Sequence, residues 1–315
     1  MDALQRGRWC VIGAAVCWSI VGAGVKLVSP PLDGWHIACG RSLFAFFFVC
    51  AMVRPWRAPK LFPGVKVALL SLVYAAMLVL FILANTLTKA ANAIFLQDTA
   101  VVWMMLFAPV VLKEPFRARD LGVFVMCALG MTLLFGDQLA SGQEKGNLLA
   151  LLSGLAYAAV LLSLRWGRHK EAAAHPASPV GRSSGSPGGP EGRPTPTDAE
   201  LILVWGNLFC VLACAPFLHS IPVAEAGLPR VLIAVAGVAV MGVVQLGLGY
   251  YLVAKGMRHV PAVEASLLTL IEPVLNPIWA FVAVQEVPGL WALLGGAVII
   301  GSIAYQARGE NRPPP

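Results

Sequence analysis

Long apolar runs recur along the whole sequence of 315 residues and constrain its fold more than any other feature. At 1.5 Å per helical residue, about 20 apolar residues reach across the hydrocarbon core of a bilayer. Only 12% of the residues are charged, far below a globular norm of about 25%. We therefore predict an all-α, polytopic membrane protein with ten transmembrane helices. The predicted spans are Trp9–Val28, Trp35–Val53, Val65–Asn85, Ala91–Leu112, Leu121–Phe135, Leu148–Leu164, Leu201–Leu218, Val231–Val253, Ala262–Val284 and Leu290–Tyr305.

The positive charges indicate how such a chain would lie in the membrane. With a cytoplasmic N-terminus, 18 of the 23 Lys and Arg residues fall on the cytoplasmic side and four on the other, with Arg41 inside the second span. This distribution follows the positive-inside rule and predicts that both termini are cytoplasmic. It also accounts for the net charge of +7, so we expect no nucleic-acid partner.

The second half of the sequence repeats features of the first half. A shift of 172 positions places Ala90 on Ala262 and Glu114 on Glu286. Apolar matches are common between membrane segments, so the pair of helix-end glutamates is more informative. Two halves of five spans must enter the membrane in opposite directions. That is the inverted-repeat plan of many secondary transporters, which hold substrate between the halves near the midplane.

The ninth predicted span contains prolines beside a carboxylate. Pro273 and Pro277 lack a backbone donor, so the carbonyls of Thr269 and Pro273 lose their usual partners. Membrane helices tolerate such gaps where the freed groups face other helices, waters or a cavity. An ionised Glu272 in a helix centre costs roughly 2.5 to 3.5 kcal/mol, so this residue faces the interior, is paired or is protonated. It is a candidate transport residue, and a protonated packing residue is the alternative.

Two segments carry a resemblance to a known family. LQDTAVVWMMLFAPVVLKEP in the fourth span and LIEPVLNPIWAFVAVQEVP in the ninth, together with Trp18, Lys26 and Arg41, resemble the EamA-like branch of the drug/metabolite transporter (DMT) superfamily. The resemblance covers nearly the whole chain. It implies a transporter of two inverted five-helix repeats, residues 1–146 and 147–310, that moves small metabolites, often outward. Gln97 and Asp98 depart from the family pattern, which usually has small or apolar residues there.

Pro, Gly and Ser dominate a segment between the sixth and seventh spans. Almost nothing in this segment can form a core, so we predict a disordered cytoplasmic linker at about 170–198. The Pro-rich tail at 311–315 is predicted to be disordered as well.

Polar and aromatic side chains inside the spans are the candidates for a substrate pathway. Asp98 is either a proton carrier or a buried hydrogen-bonding group. Arg41 cannot lose its proton, so we interpret it first as a structural lock and second as a pathway residue. Lys26 either reaches the headgroups or attracts anions. The pathway candidates are Trp18, Lys26, Arg41, Gln97, Asp98, Tyr157, Gln245, Tyr250, Glu264, Glu272 and Asn276, and the helix-end motif is Glu114 and Glu286.

The sequence thus predicts a secondary active transporter of small metabolites or amino acids in the bacterial cytoplasmic (inner) membrane. It would export them by alternating access, with protons or a counter-substrate as the candidate coupled species. Uptake is the alternative, and an integral membrane enzyme or receptor ranks below it. The sequence has no P-loop or paired metal-ligand motif, and its seven cysteines and five histidines are scattered. We therefore expect no enzyme activity, cofactor or metal site, with a small-molecule substrate and the lipid bilayer as partners and the oligomeric state open.

Overall fold

The computed structural model of the protein describes residues 2–58, 62–88, 90–114, 118–135, 143–174, 196–221, 223–285 and 289–309. These residues form helices and no strand, which confirms the all-α prediction. The helices are α1 (Ala3–Trp18), α2 (Val21–Val28), α3 (Gly34–Val53), α4 (Val65–Leu87), α5 (Ala90–Gln97), α6 (Ala100–Val111), α7 (Ala118–Phe135), α8 (Glu144–Ala174), α9 (Asp198–Cys214), α10 (Val223–Ala226), α11 (Leu228–Val240), α12 (Gly249–Gly256), α13 (Ala262–Thr269), α14 (Ile271–Val284) and α15 (Leu290–Gly309). A π-helix, Met241–Leu248, joins α11 to α12.

The helices are long and apolar enough for a multi-pass membrane protein. Within the described residues, seven helical stretches could cross a bilayer by length and composition, and a shorter apolar helix covers Leu290–Gln306. The seven are Ala3–Val28, Gly34–Val53, Val65–Leu87, Asn92–Val111, Glu144–Trp166, Asp198–Phe217 and Leu228–Gly256. The count of ten spans stays a prediction.

Some sequence predictions fall on parts of the chain outside the described residues. The tail at 311–315 and most of the linker at about 170–198 lie there, as does Glu286. The first residues of the predicted linker are helical, because α8 continues to Ala174.

The fourth and ninth predicted spans break at equivalent positions. A shift of 172 positions carries the bounds of α5 onto those of α13, and each helix is followed by a short break before the next helix begins. The Thr99 hydroxyl donates to the Leu96 carbonyl at 2.6 Å, and the Thr269 hydroxyl donates to the Ser266 carbonyl at 2.7 Å. At the second break the Thr269 carbonyl lacks its usual helical donor, because residue 273 is a proline and has no backbone N–H. Helix α14 nevertheless remains continuous through Pro277.

Packing between the halves follows the same inverted symmetry. Helix α3 packs against α9, and the Cys39 thiol contacts the Val211 carbonyl at 4.0 Å while the Cys210 thiol contacts the Ala38 carbonyl at the same distance. Each of these contacts joins two positions that are equivalent under the shift of 172 positions. Helix α1 packs on α12 as α8 packs on α4, and α7 pairs with α15. Each half is therefore built around helices of the other half.

The helix ends form two faces. We call the N-terminal face the one that holds the start of α1 and the ends of α3, α6 and α12, and the opposite face the one that holds the ends of α2, α4 and α9. A cavity between the halves must communicate with one of these faces to exchange a ligand.

Candidate functional site

A small cavity lies between the two halves, lined near the middle of their helices by residues of both. Its volume is about 20 Å³, which is room for about one water molecule. Ligand pockets of drug-sized molecules usually measure about 300–1,000 Å³, so the helices here are drawn close together. The lining residues are Trp18, Arg41, Met77, Leu78, Phe81, Gln97, Tyr157, Gln245, Leu246, Tyr250 and Glu272.

A buried arginine supplies the positive charge of this cavity. Arg41 is only 1% exposed, and its Nη1 donates a hydrogen bond to Gln245 Oε1 at 3.0 Å. Its Nε has no hydrogen-bond partner among the described residues. Gln245 belongs to the π-helix, and Gly242 lets that helix approach because a Cβ there would lie 2.5 Å from the Arg41 carbonyl oxygen. A guanidinium has five donors, so Arg41 has capacity left to bind an anionic group.

Two carboxyl groups stand at the helix breaks beside the cavity. Glu272 lies in the first turn of α14, where the positive end of the helix dipole favours a negative charge. Asp98 lies in the break between α5 and α6, and its Oδ2 is buried without a hydrogen-bond partner in the described part of the chain. The two carboxyl groups are near enough for their charges to interact. The neighbouring Gln97 is held by its amide, which donates to the Ser153 hydroxyl at 2.9 Å.

Aromatic rings form the remaining wall. The Trp18 ring lies 4.8 Å from the Tyr250 ring and 5.8 Å from the Tyr157 ring, measured between centroids. Tyr74 packs edge-on against Tyr250 at 4.9 Å and is fully buried. Sequence reasoning missed Tyr74, although it is a single hydroxyl-bearing ring in the middle of an aliphatic helix. The rings give this cavity an amphipathic lining that could contact an apolar side chain.

The remaining predicted pathway residues lie away from the cavity lining. Lys26 is exposed in the last turn of α2. Asn276 is buried beside Gly22, where a Cβ would meet its Oδ1 at 2.6 Å. Glu264 pairs with Arg8 at 2.6 Å between carboxylate and guanidinium, at the N-terminal face. Glu264 is therefore part of a helix-end contact.

That contact has a counterpart at the opposite face. Asn92 corresponds to Glu264 under the shift of 172 positions, and Asn147 corresponds to Arg8 under the shift of 139 positions that relates Trp18 to Tyr157. The Asn92 amide donates to Asn147 Oδ1 at 3.1 Å. The Thr88 hydroxyl also bonds Asn147, at 2.8 Å. Equivalent side chains thus join the halves at both faces, as an ion pair at one and as a neutral amide pair at the other.

Glu114 makes a second connection at the N-terminal face. Its Oε1 accepts from Arg165 Nε at 2.7 Å, and its Oε2 accepts from the backbone N–H of Ala262 at 2.8 Å, so it caps the start of α13. Arg165 also donates to the Met257 carbonyl at 2.9 Å. The end of α6 is therefore tied to α8 and to the turn before α13, which joins both halves through charged groups.

A larger apolar groove lies between α7 and α15. Its volume is about 670 Å³, and Gly122, Met126, Val298 and Gly301 are among its lining residues. Hydrocarbon surface dominates it, whereas the smaller cavity gathers charged, amide and aromatic groups. We therefore place the candidate substrate site in the small cavity.

Comparisons with known proteins agree with this architecture. The model of the EamA-like transporter family matches residues 5–136 and 196–306, one match in each half. One solved crystal structure, described only as that of a protein, is 15% identical to this chain, and the match covers 98% of this chain and 99% of that one. The two superpose with a TM-score of 0.74, which shows a common fold. No curated protein matches the sequence. The chain belongs to the EamA-like transporter family within the drug/metabolite transporter superfamily.

Proposed function

We propose that the protein is a secondary active transporter that exports small zwitterionic metabolites, amino acids foremost, across the bacterial inner membrane. The observation that carries this proposal is the meeting of one buried cation and two carboxyl groups around a cavity shared by both halves. Arg41 would bind the substrate carboxylate, and Glu272 or Asp98 would bind its ammonium group. The rings of Trp18 and Tyr250 would contact its side chain.

Alternating access is supported by the paired contacts at the two faces. Arg8–Glu264 and Asn92–Asn147 are both formed, and the cavity between them is small. This arrangement fits an occluded conformation. Opening one pair while the other holds would expose the cavity to one face at a time.

Proton coupling is proposed for the two carboxyl groups. A carboxylate held away from water among apolar helices is neutralised by a proton, by a cation or by a substrate ammonium group. Competition between a proton and the substrate for Glu272 and Asp98 would couple the export of one to the entry of the other. The bias of positive charge towards the side of the termini supports cytoplasmic termini.

The test is counterflow of labelled amino acids and other small metabolites into proteoliposomes, with and without a pH gradient. We expect saturable counterflow of zwitterionic compounds by the native chain. Glu272→Gln or Asp98→Asn should keep exchange while losing the response to the gradient. The matched control is Glu225→Gln, because Glu225 is an exposed acid on α10. Absence of saturable flux across the panel would contradict the proposal, and flux driven only inward would replace export by uptake.

A further inference from the structure

Two histidines that are 183 residues apart meet an aspartate at the opposite face. His36 lies in the first turn of α3, and His219 follows the short turn after α9. Asp33, His36 and His219 each offer a ligand atom, and these atoms all lie within 4.8 Å of one another. His36 Nδ1 is 2.7 Å from Asp33 Oδ1, and His219 Nδ1 is 3.6 Å from Asp33 Oδ2.

The hydrogen bonds of this cluster favour a positive charge between His36 and Asp33. His36 Nε2 lies 2.9 Å from the His219 carbonyl, which can only accept, so this nitrogen carries a proton. In a neutral imidazole, His36 Nδ1 then has a lone pair. That lone pair faces the Asp33 carboxylate, which also only accepts when ionised. A proton or a metal ion on His36 Nδ1 resolves this conflict.

Asp33 is held as an ionised ligand. Burial alone would raise the pKa of Asp33, but hydrogen bonds from the His36 backbone and side chain and the nearby His219 outweigh it and lower the pKa. Asp33 Oδ1 accepts from the backbone N–H of His36 at 2.9 Å, which caps α3. The cap uses Oδ1 and leaves Oδ2 turned towards His219.

One of the two ligand separations matches a tetrahedral metal site, and the hydrogen-bond distance of 2.7 Å between His36 Nδ1 and Asp33 Oδ1 would lengthen when a metal binds. Two ligand atoms at about 2.0–2.2 Å from a tetrahedral ion lie roughly 3.4 Å apart, close to the observed separation of His219 Nδ1 and Asp33 Oδ2. Metal-bound histidines usually donate their second ring nitrogen to a carbonyl or carboxylate, as His36 does. Two imidazoles and a carboxylate, without a thiolate, suit Zn²⁺ and its neighbours Co²⁺, Ni²⁺ and Cu²⁺.

The scaffold already brings the ligands together. Trp35 stacks on Phe217 with centroids 4.2 Å apart and planes 17° apart, next to the ligand-bearing residues. Helices α3 and α9 also pack along their length. His219 is 63% exposed, so an ion can enter from outside and keep a water ligand. We propose that Asp33, His36 and His219 form a site for a divalent transition metal of the Zn²⁺ class, which clamps α3 to the end of α9 at the opposite face.

The test is metal binding by the purified full chain in detergent, with its affinity tag removed and its thiols reduced. Zn²⁺ affinity is measured by competition with a chromophoric chelator, and Co²⁺ binding by its visible absorption. The native chain should bind one equivalent. His219→Ala should weaken binding by at least about 100-fold, since loss of an outer-shell partner alone typically costs 10–100-fold. Asp33→Asn should weaken binding while keeping the helix cap, because Asn caps helices as well as Asp does.

The control is His259→Ala, which removes an exposed histidine at the N-terminal face and should leave binding unchanged. Thermal midpoints of all variants without metal verify folding. Failure of the native chain to bind Zn²⁺ or Co²⁺ would overturn the proposal, and a proton would then occupy His36 Nδ1. Equal affinity in the native chain and His219→Ala would also overturn it. None of these measurements depends on transport, so the site and the transporter proposal can fail separately.

Discussion

The surroundings of Arg41 give the most direct indication of the substrate's charge. The sequence favours a structural lock as the role of Arg41, and its observed partner is the side-chain carbonyl of Gln245. One neutral hydrogen bond leaves most of the guanidinium's donors unused. A buried cation of this kind is stabilised when an anionic ligand arrives, so Arg41 fits both roles.

Replacing Arg41 should weaken binding of substrates that carry a carboxylate. Hydrogen bonds to charged groups contribute about 1.5–3 kcal/mol, so we expect Arg41→Gln to raise the dissociation constant by about 10- to 100-fold. Equilibrium binding of the substrate identified by counterflow measures this. The control is Arg230→Gln, an exposed arginine near the start of α11. An unchanged dissociation constant in Arg41→Gln would leave Arg41 with the structural role alone.

Gly249 sets how closely Trp18 can approach α12. A Cβ at Gly249 would lie 2.5 Å from Trp18 Nε1, and the indole is already confined by Tyr157 and Tyr250. We expect Gly249→Ala to cost about 1–3 kcal/mol through overpacking and to lower the thermal midpoint in detergent. Gly301→Ala is the matched control, because a Cβ there meets nothing within 4 Å. Equal midpoints for both variants would contradict the tight packing of Trp18.

At this scale the sequence predicted part of the site. Seven of the eleven pathway candidates line the cavity. Glu264 was placed in the pathway because it lies in the same apolar run as Glu272, but it occupies the first turn of α13, and its ion pair with Arg8 joins residues 256 positions apart. The cluster of His36 and His219 was missed for the same reason. Contacts between distant segments depend on the helix packing, which local patterns do not encode.

Among the helices, the breaks between α5 and α6 and between α13 and α14 matter most for function. The shift of 172 positions predicts that these segments are equivalent, and it carries the bounds of α5 onto those of α13. Pro273 explains the second break through its missing donor. Val101 stands at the position of the first half that is equivalent to Pro273. No proline therefore causes the first break, and the sequence did not reveal its position. The π-helix that carries Gln245 likewise has no sequence signal that we recognised.

Restoring the donor at position 273 should favour a continuous ninth span. In Pro273→Ala the new backbone N–H can bond the Thr269 carbonyl, so we expect a higher thermal midpoint together with slower counterflow, because Glu272 would lose its place at a helix start. Pro277→Ala is the control, since α14 is already continuous there. Faster transport in Pro273→Ala would contradict a role for the break in binding.

The paired contacts at the helix ends should act as separate gates. Breaking a buried ion pair by removing one partner costs about 3–5 kcal/mol, so Glu264→Gln should speed amide hydrogen exchange at the starts of α1 and α13 by about two to four orders of magnitude. Asn147→Ala should instead raise exchange at the starts of α5 and α8. The double variant Arg8→Gln/Glu264→Gln should be less perturbed than either single variant, because it removes both charges of the pair. Uniform changes across both faces would argue against independent gates.

The whole molecule is held together by contacts between its halves. Helix α1 packs on α12, α4 packs on α8 and α9, and α3 packs on α9 and the π-helix, so each half lacks neighbours when alone. The inverted repeat followed from an odd number of predicted spans in each half. The interleaving of the halves did not follow from the sequence, because apolar helix faces in a membrane protein carry little information about their partners.

Splitting the chain between the repeats should therefore prevent either half from folding when it is expressed alone. We expect fragments 1–140 and 141–315 to be degraded or to aggregate when each is expressed alone, since buried residues such as Tyr74 and Arg41 would lose the packing that α8, α9 and the π-helix provide. Co-expressed fragments should associate in the membrane, co-purify and recover counterflow, because the interface between them contains the cavity. The measurement is co-purification through a tag on one fragment, followed by transport. A first fragment that is monodisperse and as heat-stable alone as with its partner would show that the halves fold independently, and the symmetric contacts between α3 and α9 would then be a docking interface between finished domains.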